Sequence, residues 1–148
     1  WVQKLIQVMG PTVGSIIQIS SATAKIMLDN HAAYMGTKAG FDHVIRTVAN
    51  EYGEIGIRAN SISPGLTASP MTADAMQSKA LVEEFTKCYP LGRIGTVDDI
   101  AAAAVFVASD ECFMTGENLQ VNGGLCLRRN PRGHELAAAM IAAGEISG

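Results

Sequence analysis

Cysteines are few in this sequence, and their spacing excludes several classes of protein. The 148 residues include three of them, Cys88, Cys112 and Cys126, with no Cys-x-x-Cys pair. This pattern excludes a small disulfide-stapled domain and favours free thiols in a reducing cytoplasm. His43 and His134 have no partner at metal-binding spacing, so we assign no metal site.

Charged residues and long hydrophobic runs are also scarce. Charged residues make up 17% of the chain and the formal net charge is −3, which argues against a nucleic acid as the partner. The longest apolar run, residues 100–108, is too short to span a bilayer, so we expect no membrane partner. The hydrophobic content of 48% instead predicts one globular domain with a sizeable core.

The sequence around residues 15–38 organises the rest of the chain. Residues 15–20 form a short apolar, β-branched run, which predicts a buried strand. Ser21 follows this strand, at the edge where open α/β sheets bind their ligands. Tyr34 and Lys38 are four residues apart on a predicted helix over 31–52, so they share one helix face. We expect that face to lie opposite Ser21.

These three side chains suggest a redox reaction at an alcohol carbon. A phenol titrates near about 10, and an ammonium group beside it favours the phenolate. A tuned Tyr34 can then pass a proton to or from a carbinol oxygen, while Ser21 donates a hydrogen bond to that oxygen. No side chain carries a hydride, so a nicotinamide cofactor, NAD or NADP, is implied.

At these positions the sequence resembles the classical short-chain dehydrogenase/reductase family. The family pattern is a Ser, a Tyr-x-x-x-Lys about thirteen residues later, and an Asn-x-x-x-Pro-Gly after the next strand. The matching positions here are Ser21, 34–38, 60–65, 92–95, 115–116 and 121–124. The resemblance extends to about Leu125 and implies an α/β fold with a Rossmann-like, doubly wound parallel sheet.

The resemblance also implies a role for each catalytic residue. Tyr34 is expected to be the general acid/base, and Lys38 to tune it and bind the nicotinamide ribose. Ser21 is expected to orient and polarise the substrate carbonyl. The substrate is then a secondary alcohol or its ketone, and the apolar residues of segment 66–90, where the family has a mobile lid, favour an apolar one.

Further cofactor contacts are implied after the second predicted strand, residues 57–63. Pro64 and Gly65 turn the chain there, and in the family the backbone that follows holds the nicotinamide carboxamide. Thr67 is at the position whose backbone makes this contact. Ser69 replaces the usual Thr and keeps its hydroxyl. The implied cofactor-binding residues are Tyr34, Lys38, Pro64, Gly65, Thr67 and Ser69.

The first half of the family pattern is not found in this sequence. It contains no Gly-rich phosphate turn and no selector residue for NAD or NADP, and it starts at Trp1 on a helical pattern that Gly10-Pro11 stops. We therefore expect residues 1–148 to be the carboxyl-terminal part of a single domain, inactive without the rest. Residues 126–148 depart from the family as a basic and Ala-rich tail, which is expected to form a subunit contact or a frayed terminus.

Several local features are also predicted. Asp29 or Asn30 is expected to cap the helix over 31–52, and Thr96 a helix over 96–109. His31 is interpreted as a surface residue of the first turn, with the border of the substrate pocket as the alternative. Arg93 is interpreted as a structural residue, with contact to an acidic substrate group as the alternative. The apolar stripe of the helix over 31–52 is predicted to be Ala33, Phe41, Val44, Ile45, Val48 and Ala49.

Three functional hypotheses remain from the sequence. The first is an NAD(P)-dependent alcohol/ketone oxidoreductase that forms a dimer or tetramer of identical subunits, as the family does. Its close variant is a 3-oxoacyl-thioester reductase. The third is a non-catalytic assembly module that retains this half of the fold.

Overall fold

The computed structural model describes residues 2–9 and 14–147, so the predictions for Trp1 and Gly10-Pro11 lie outside the described residues. The helices are α1 (Val2–Met9), α2 (Ala32–Tyr52), α3 (Ala73–Gln77), α4 (Lys79–Cys88), α5 (Val97–Ala108) and α6 (Gly133–Ala142). The strands are β1 (Gly14–Ile19), β2 (Ile57–Pro64), β3 (Thr67–Ala68), β4 (Gly95–Thr96) and β5 (Asn118–Val121). The elements predicted from the sequence are present, with ends shifted by about one residue.

The main sheet is parallel, with strand order β1-β2-β5. Its register pairs Gly14 with Ile57 and Ile19 with Ile62 on one side of β2, and Pro64 with Val121 on the other. A short parallel pair, β3-β4, lies apart from it. Because parallel neighbours need crossover connections, helices cover the sheet, as in a Rossmann-like fold.

Helices α2 and α5 pack on opposite faces of this sheet. Ile16 of β1 packs with α2, while the neighbouring Ser15 donates a hydrogen bond to the Val107 carbonyl of α5. Arg58 of β2 also donates to that carbonyl, at 2.8 Å. Side chains alternate between faces along a strand, so these contacts place one helix on each face. The sheet is therefore doubly wound, as predicted.

The apolar stripe of α2 is narrower than the sequence suggests. The buried residues that pack on the sheet are Ile45, Val48 and Ala49. Phe41 and Val44 remain 42% and 41% exposed, so the predicted stripe is wrong there and at the exposed Ala33. The reason is geometric: the described part of the sheet has three strands, and they cover only one side of this helix.

The predicted cap of α2 is also wrong. The residue before the helix is His31, and its side chain makes no capping hydrogen bond. Asn30 has a left-handed φ of 63°, so the chain turns before the helix starts. Asp29 instead accepts a hydrogen bond from the backbone N–H of Gly133, at 2.9 Å. Asp29 therefore ties the loop after β1 to the tail.

Helix α5 begins as the sequence predicts. Thr96 accepts from the backbone N–H of Asp99, and Asp99 in turn accepts from the backbone N–H of Thr96. Arg93 adds two hydrogen bonds to the Asp99 carboxylate, both at 2.7 Å. This pair agrees with the structural role predicted for Arg93, because it fixes the loop before the helix. No helix among residues 2–9 and 14–147 is long and apolar enough to cross a membrane.

The tail is folded rather than frayed. Helix α6 packs on α4, and Glu145 beyond it accepts hydrogen bonds from the Ser78 hydroxyl and the Ala80 N–H at the start of α4. Arg128 donates to the Lys87 carbonyl at the other end of α4. The expectation of a frayed terminus is wrong because these polar contacts and the packing hold the tail along its length.

The first prediction concerns the pH dependence of tail docking. Arg129 donates two hydrogen bonds to Glu135, and together with the backbone N–H of Arg132 these lower the pKa of the Glu135 carboxyl from 4.5 to about 2. A carboxyl whose pKa is lower in the folded state than in the unfolded state stabilises the fold above pH 4.5. This stabilisation is lost as the pH falls toward 2. Glu135→Gln should therefore lower Tm slightly near neutral pH, and the difference from wild type should shrink below pH 4.5.

Glu111→Gln is the matched control, because this substitution makes the same change in charge at another, exposed glutamate. Its Tm should follow that of wild type at every pH. A Glu135→Gln difference that is constant across the acid range in calorimetric scans would contradict the prediction.

Candidate active site

The strand register brings two chain segments together at the carboxyl edge of the sheet. β1 ends at Ile19 and its partner in β2 is Ile62, so the residues after both strands lie at the same edge. The backbone N–H of Ser20 continues the pairing, donating to the Ile62 carbonyl at 2.7 Å. Ser21 and the turn that starts at Pro64 therefore lie beside each other.

Ser21 is buried and oriented by its neighbour Thr23. The Ser21 Oγ accepts a hydrogen bond from the Thr23 hydroxyl at 2.9 Å and another from the Thr23 N–H at 3.2 Å. A hydroxyl that accepts two hydrogen bonds still has its own proton to donate. Ser21 is thus prepared to donate to an oxygen in front of it. The Ser-x-Thr spacing is a local signal for this contact between Thr23 and Ser21, and Thr23 was not among the residues predicted for the site.

Tyr34 and Lys38 lie side by side on the first turns of α2. The Lys38 Nζ is 5.6 Å from the centroid of the Tyr34 ring and donates a hydrogen bond to the Ile19 carbonyl at 2.8 Å. The His31 ring meets the Tyr34 ring edge-on, with centroids 6.3 Å apart. Tyr34 is 43% exposed. The helix therefore presents the phenol toward open space, between an imidazole and an ammonium group.

The turn after β2 is held by Tyr89, a residue the sequence analysis placed only in the apolar lid. The Tyr89 hydroxyl accepts from the Leu66 N–H at 2.5 Å and donates to the Leu66 carbonyl at 3.3 Å. Burial raises the pKa of Tyr89 to about 12. A Cβ added to Gly65 would lie 2.2 Å from the Tyr89 Oη. Glycine is therefore required here because the buried Tyr89 occupies the space of a side chain.

Thr67 and Ser69 are organised by Thr72, which the sequence analysis did not single out. The Thr72 hydroxyl donates to the Thr67 carbonyl at 2.6 Å and lies 3.2 Å from the Ser69 Oγ. Thr67 also pairs with Gly95 between β3 and β4. The predicted cofactor-binding segment is thus a fixed turn rather than a free loop.

One cavity of about 1000 Å³ gathers the residues predicted for the site. They are Ser21, Tyr34, Lys38, Pro64, Gly65, Thr67 and Ser69. His31 is exposed and also lines the cavity, so the surface position and the pocket border, which the sequence leaves as alternatives, are compatible.

The other walls of the cavity are mostly apolar. Of the loop after β1, Leu28 lines the cavity while Met27 is turned to the surface. The lid segment contributes Leu66, Met71 and Phe85. Further wall residues that the sequence analysis did not assign to the site are Val97, Ile100, Ala101, Ala104, Leu125 and Asn130.

A family model and a solved structure match most of this chain. The family model described as enoyl-(acyl carrier protein) reductase matches residues 1–126. A short-chain type dehydrogenase/reductase from Mycobacterium ulcerans superposes with a TM-score of 0.77 at 39% identity, over 80% of this chain and 44% of its own. The chain belongs to the short-chain dehydrogenase/reductase family. The resemblance seen in residues 21–124 is thereby confirmed.

Further similar proteins carry names that describe redox chemistry. Human (3R)-3-hydroxyacyl-CoA dehydrogenase is 39% identical over 113 residues, which are 76% of this chain and 42% of that protein. A 4-hydroxyisoleucine dehydrogenase in complex with NADH has a TM-score of 0.82 at 27% identity, over 86% of this chain and 54% of its own. A gluconate 5-dehydrogenase from Burkholderia cenocepacia in complex with NADP has a TM-score of 0.72 at 31% identity, over 76% and 45%. The chain spans less than half the length of the curated relatives it matches.

The second prediction tests the contact between Gly65 and Tyr89. Gly65→Ala should destabilise the protein by about 1–3 kcal/mol, because the new methyl group overlaps a buried hydroxyl. Tyr89→Phe removes that hydroxyl and leaves the Leu66 N–H unpaired, which should also cost about 1–3 kcal/mol. The double variant should lose less than the sum, since the overlap disappears with the hydroxyl. Urea unfolding measures all three.

Gly40→Ala is the control for this cycle. Gly40 lies in α2, and a methyl group added to it would have no neighbouring atom within 4 Å. Alanine should therefore be neutral there or stabilise the helix by up to about 1 kcal/mol. Strict additivity of Gly65→Ala and Tyr89→Phe would show that the two residues do not collide.

Proposed function

We propose that the full-length protein is an oxidoreductase that interconverts a secondary alcohol and a ketone with NAD or NADP. The observation that carries this proposal is the convergence of Ser21, Tyr34 and Lys38 on one cavity at the carboxyl edge of the sheet. The names of the similar proteins support the reaction class, and their complexes with NADH and NADP support the cofactor.

The residues present fit the nicotinamide end of such a cofactor. An ammonium group has three N–H donors, and Lys38 uses one of them on the Ile19 carbonyl. The other two suit the hydroxyls of a ribose. Backbone groups at Thr67 and the hydroxyl of Ser69 line the same cavity and suit a carboxamide. When bound, the nicotinamide supplies or accepts the hydride.

The side chains of this chain then handle the proton and the charge. Tyr34 donates a proton to the carbonyl oxygen during reduction and removes it from the alcohol during oxidation. Ser21 donates its free O–H to the same oxygen and fixes the direction of the carbonyl. The Lys38 cation, 5.6 Å from the Tyr34 ring, stabilises the negative charge that develops when the phenol gives up its proton.

The apolar walls favour an apolar substrate. Leu28, Phe85 and Leu125 provide one side of the cavity, and they offer burial rather than hydrogen bonds to the body of a substrate. A 3-oxoacyl thioester is the second candidate, because the human relative is named for a 3-hydroxyacyl-CoA substrate. Assembly into a dimer or tetramer and a cytoplasmic location stay predictions from the sequence.

The third prediction concerns the two proposed catalytic hydroxyls in the full-length protein. Tyr34→Phe keeps the ring and removes the proton donor, so turnover should fall by at least about 10²-fold. Ser21→Ala should also lower turnover, with little change in cofactor affinity. Steady-state rates with a panel of apolar ketones and 3-oxoacyl thioesters, with NADH and NADPH, measure both.

Tyr52→Phe is the matched control, because Tyr52 packs against the core under α2 and does not line the cavity. It should keep wild-type turnover. Near-normal turnover of Tyr34→Phe would contradict the proposed acid/base role. If wild type turns over no member of the panel while binding neither cofactor, the assembly-module hypothesis is favoured instead.

The fourth prediction concerns residues 1–148 by themselves. We propose that they form part of a larger domain and neither bind a dinucleotide tightly nor catalyse alone. β1 pairs with β2 on one side, its other edge has no partner strand among residues 2–9 and 14–147, and Ile19 near that edge is 47% exposed. An unpaired apolar edge promotes self-association. Calorimetric titration with NAD and NADP and light scattering measure this, and a monodisperse monomer with micromolar cofactor affinity would contradict it.

A further inference from the structure

The tail places one polar side chain in the apolar wall of the cavity. Asn130 lies between the end of β5 and helix α6, is only 4% exposed, and lines the cavity together with Leu28, Phe85 and Leu125. Asparagine is rarely buried in such a wall without a hydrogen-bonding reason. Each end of its amide group, the NH₂ donor and the oxygen acceptor, is therefore expected to have a hydrogen-bond partner.

One end of the Asn130 amide is accounted for by the protein. The Nδ2 donates a hydrogen bond to the Met27 carbonyl at 2.9 Å. Because a carbonyl accepts and does not donate, this contact fixes the NH₂ end of the amide toward Met27 and turns the Oδ1 away from it. A purely structural role, tying the tail to the loop after β1, needs this contact alone.

The other end has no partner within residues 2–9 and 14–147. The Asn130 Oδ1 accepts no hydrogen bond from any described residue. The described side-chain atoms that are both closed to solvent and unpaired are the Ser20 and Ser63 hydroxyl oxygens and one Asp42 oxygen, so the Asn130 Oδ1 is accessible to solvent and can accept a hydrogen bond. Since Asn130 lines the cavity, a molecule bound there can supply the missing donor.

The tail holds Asn130 in a fixed position. On one side, Arg129 forms the pair with Glu135 and also donates to the Asn130 carbonyl at 3.0 Å. On the other side, the Gly133 N–H donates to Asp29 at 2.9 Å. A side chain that orients a ligand has to be held by contacts of this kind, because ordering a mobile side chain on binding costs conformational entropy and weakens the affinity.

We propose that Asn130 is a specificity-determining residue whose Oδ1 accepts a hydrogen bond from a donor group on the substrate, separate from the reacting carbonyl. The inference rests on the proposed function and narrows its substrate class to an apolar ketone or alcohol with a second polar group. That group is a hydroxyl on the hydrocarbon body or an amide N–H. A bound analogue without the donor removes water from the Oδ1 and leaves this acceptor unpaired, so the analogue is disfavoured.

The experiment compares pairs of ketones that differ in one donor. The pairs are a straight-chain ketone and its ω-hydroxy analogue, a saturated steroid ketone and its hydroxysteroid analogue, and a 3-oxoacyl thioester of ethanethiol and of N-acetylcysteamine, which carries an amide N–H. The full-length wild type should prefer the donor-bearing member of at least one pair by about 10-fold or more in kcat/KM. The pair that shows the preference distinguishes a hydroxyl from an amide.

Two variants of Asn130 assign that preference to its oxygen. Asn130→Leu has a similar volume and no acceptor, so the ratio of kcat/KM between the donor-bearing member and the member without the donor should fall to about 1. Asn130→Asp keeps an acceptor oxygen but has no N–H for the Met27 carbonyl, so it should retain the preference only at a pH where its carboxyl is protonated and its O–H donates to that carbonyl. Asn50→Leu is the control, since it makes the same change at an exposed asparagine of α2 outside the cavity and should behave as wild type.

Binding measured without turnover separates this inference from the proposed function. If wild type reduces none of the ketones, the proposed reaction fails, and thermal shift with the same pairs then decides the role of Asn130. A larger rise in Tm with donor-bearing members, lost in Asn130→Leu, supports it. The inference is overturned if wild type shows no preference in either measurement, which needs no variant to fold, or if Asn130→Leu keeps the wild-type preference.

Discussion

The parallel pairing of β1 with β2 is the constraint on which the site depends. Its register aligns Ile19 with Ile62, so the chain leaves both strands at one edge and places Ser21 beside the Pro64 turn. The same pairing fixes the Ile19 carbonyl that anchors the Lys38 ammonium. A shift of one residue would turn every side chain of β1 to the opposite face and separate these groups. Buried Ile16 and Ile62, which would be displaced, oppose such a shift.

Around this edge, the polar groups are fixed by neighbours that take no part in the proposed chemistry. Thr23 occupies the lone pairs of the Ser21 hydroxyl, Tyr89 holds the Leu66 backbone, and Thr72 bridges the segment that follows. Each contact removes conformations in which a reacting group would point elsewhere, and this preorganisation is a large part of what a catalytic scaffold contributes. The tail extends the same principle to the far wall through Asn130.

Much of the fold and of the candidate site was predictable because the relevant signals are local. The β-branched run before Ser21, the helical spacing of Tyr34 and Lys38, and the capping box at Thr96 each depend on residues within a few positions of one another. The predictions that were wrong involve distant partners. Asp29 does not cap α2; its carboxylate instead accepts from the N–H of Gly133, the first residue of α6, about a hundred residues later. The place of His31 in the cavity wall likewise depends on residues distant in the chain, such as Phe85 and Leu125, which line the same cavity.

The sequence by itself determined the family, the order of strands and helices, and the three side chains of the proposed reaction. These follow from motif spacing and hydrophobic periodicity, which can be recognised in the sequence without knowledge of the packing. Only the tertiary structure decided that Gly65 is required by the Tyr89 hydroxyl, that the tail is docked, and that Asn130 lines the cavity with an oxygen that no described residue pairs. The physical reason is that burial and hydrogen-bond satisfaction belong to pairs of residues far apart in the chain, and no local pattern records which of them meet.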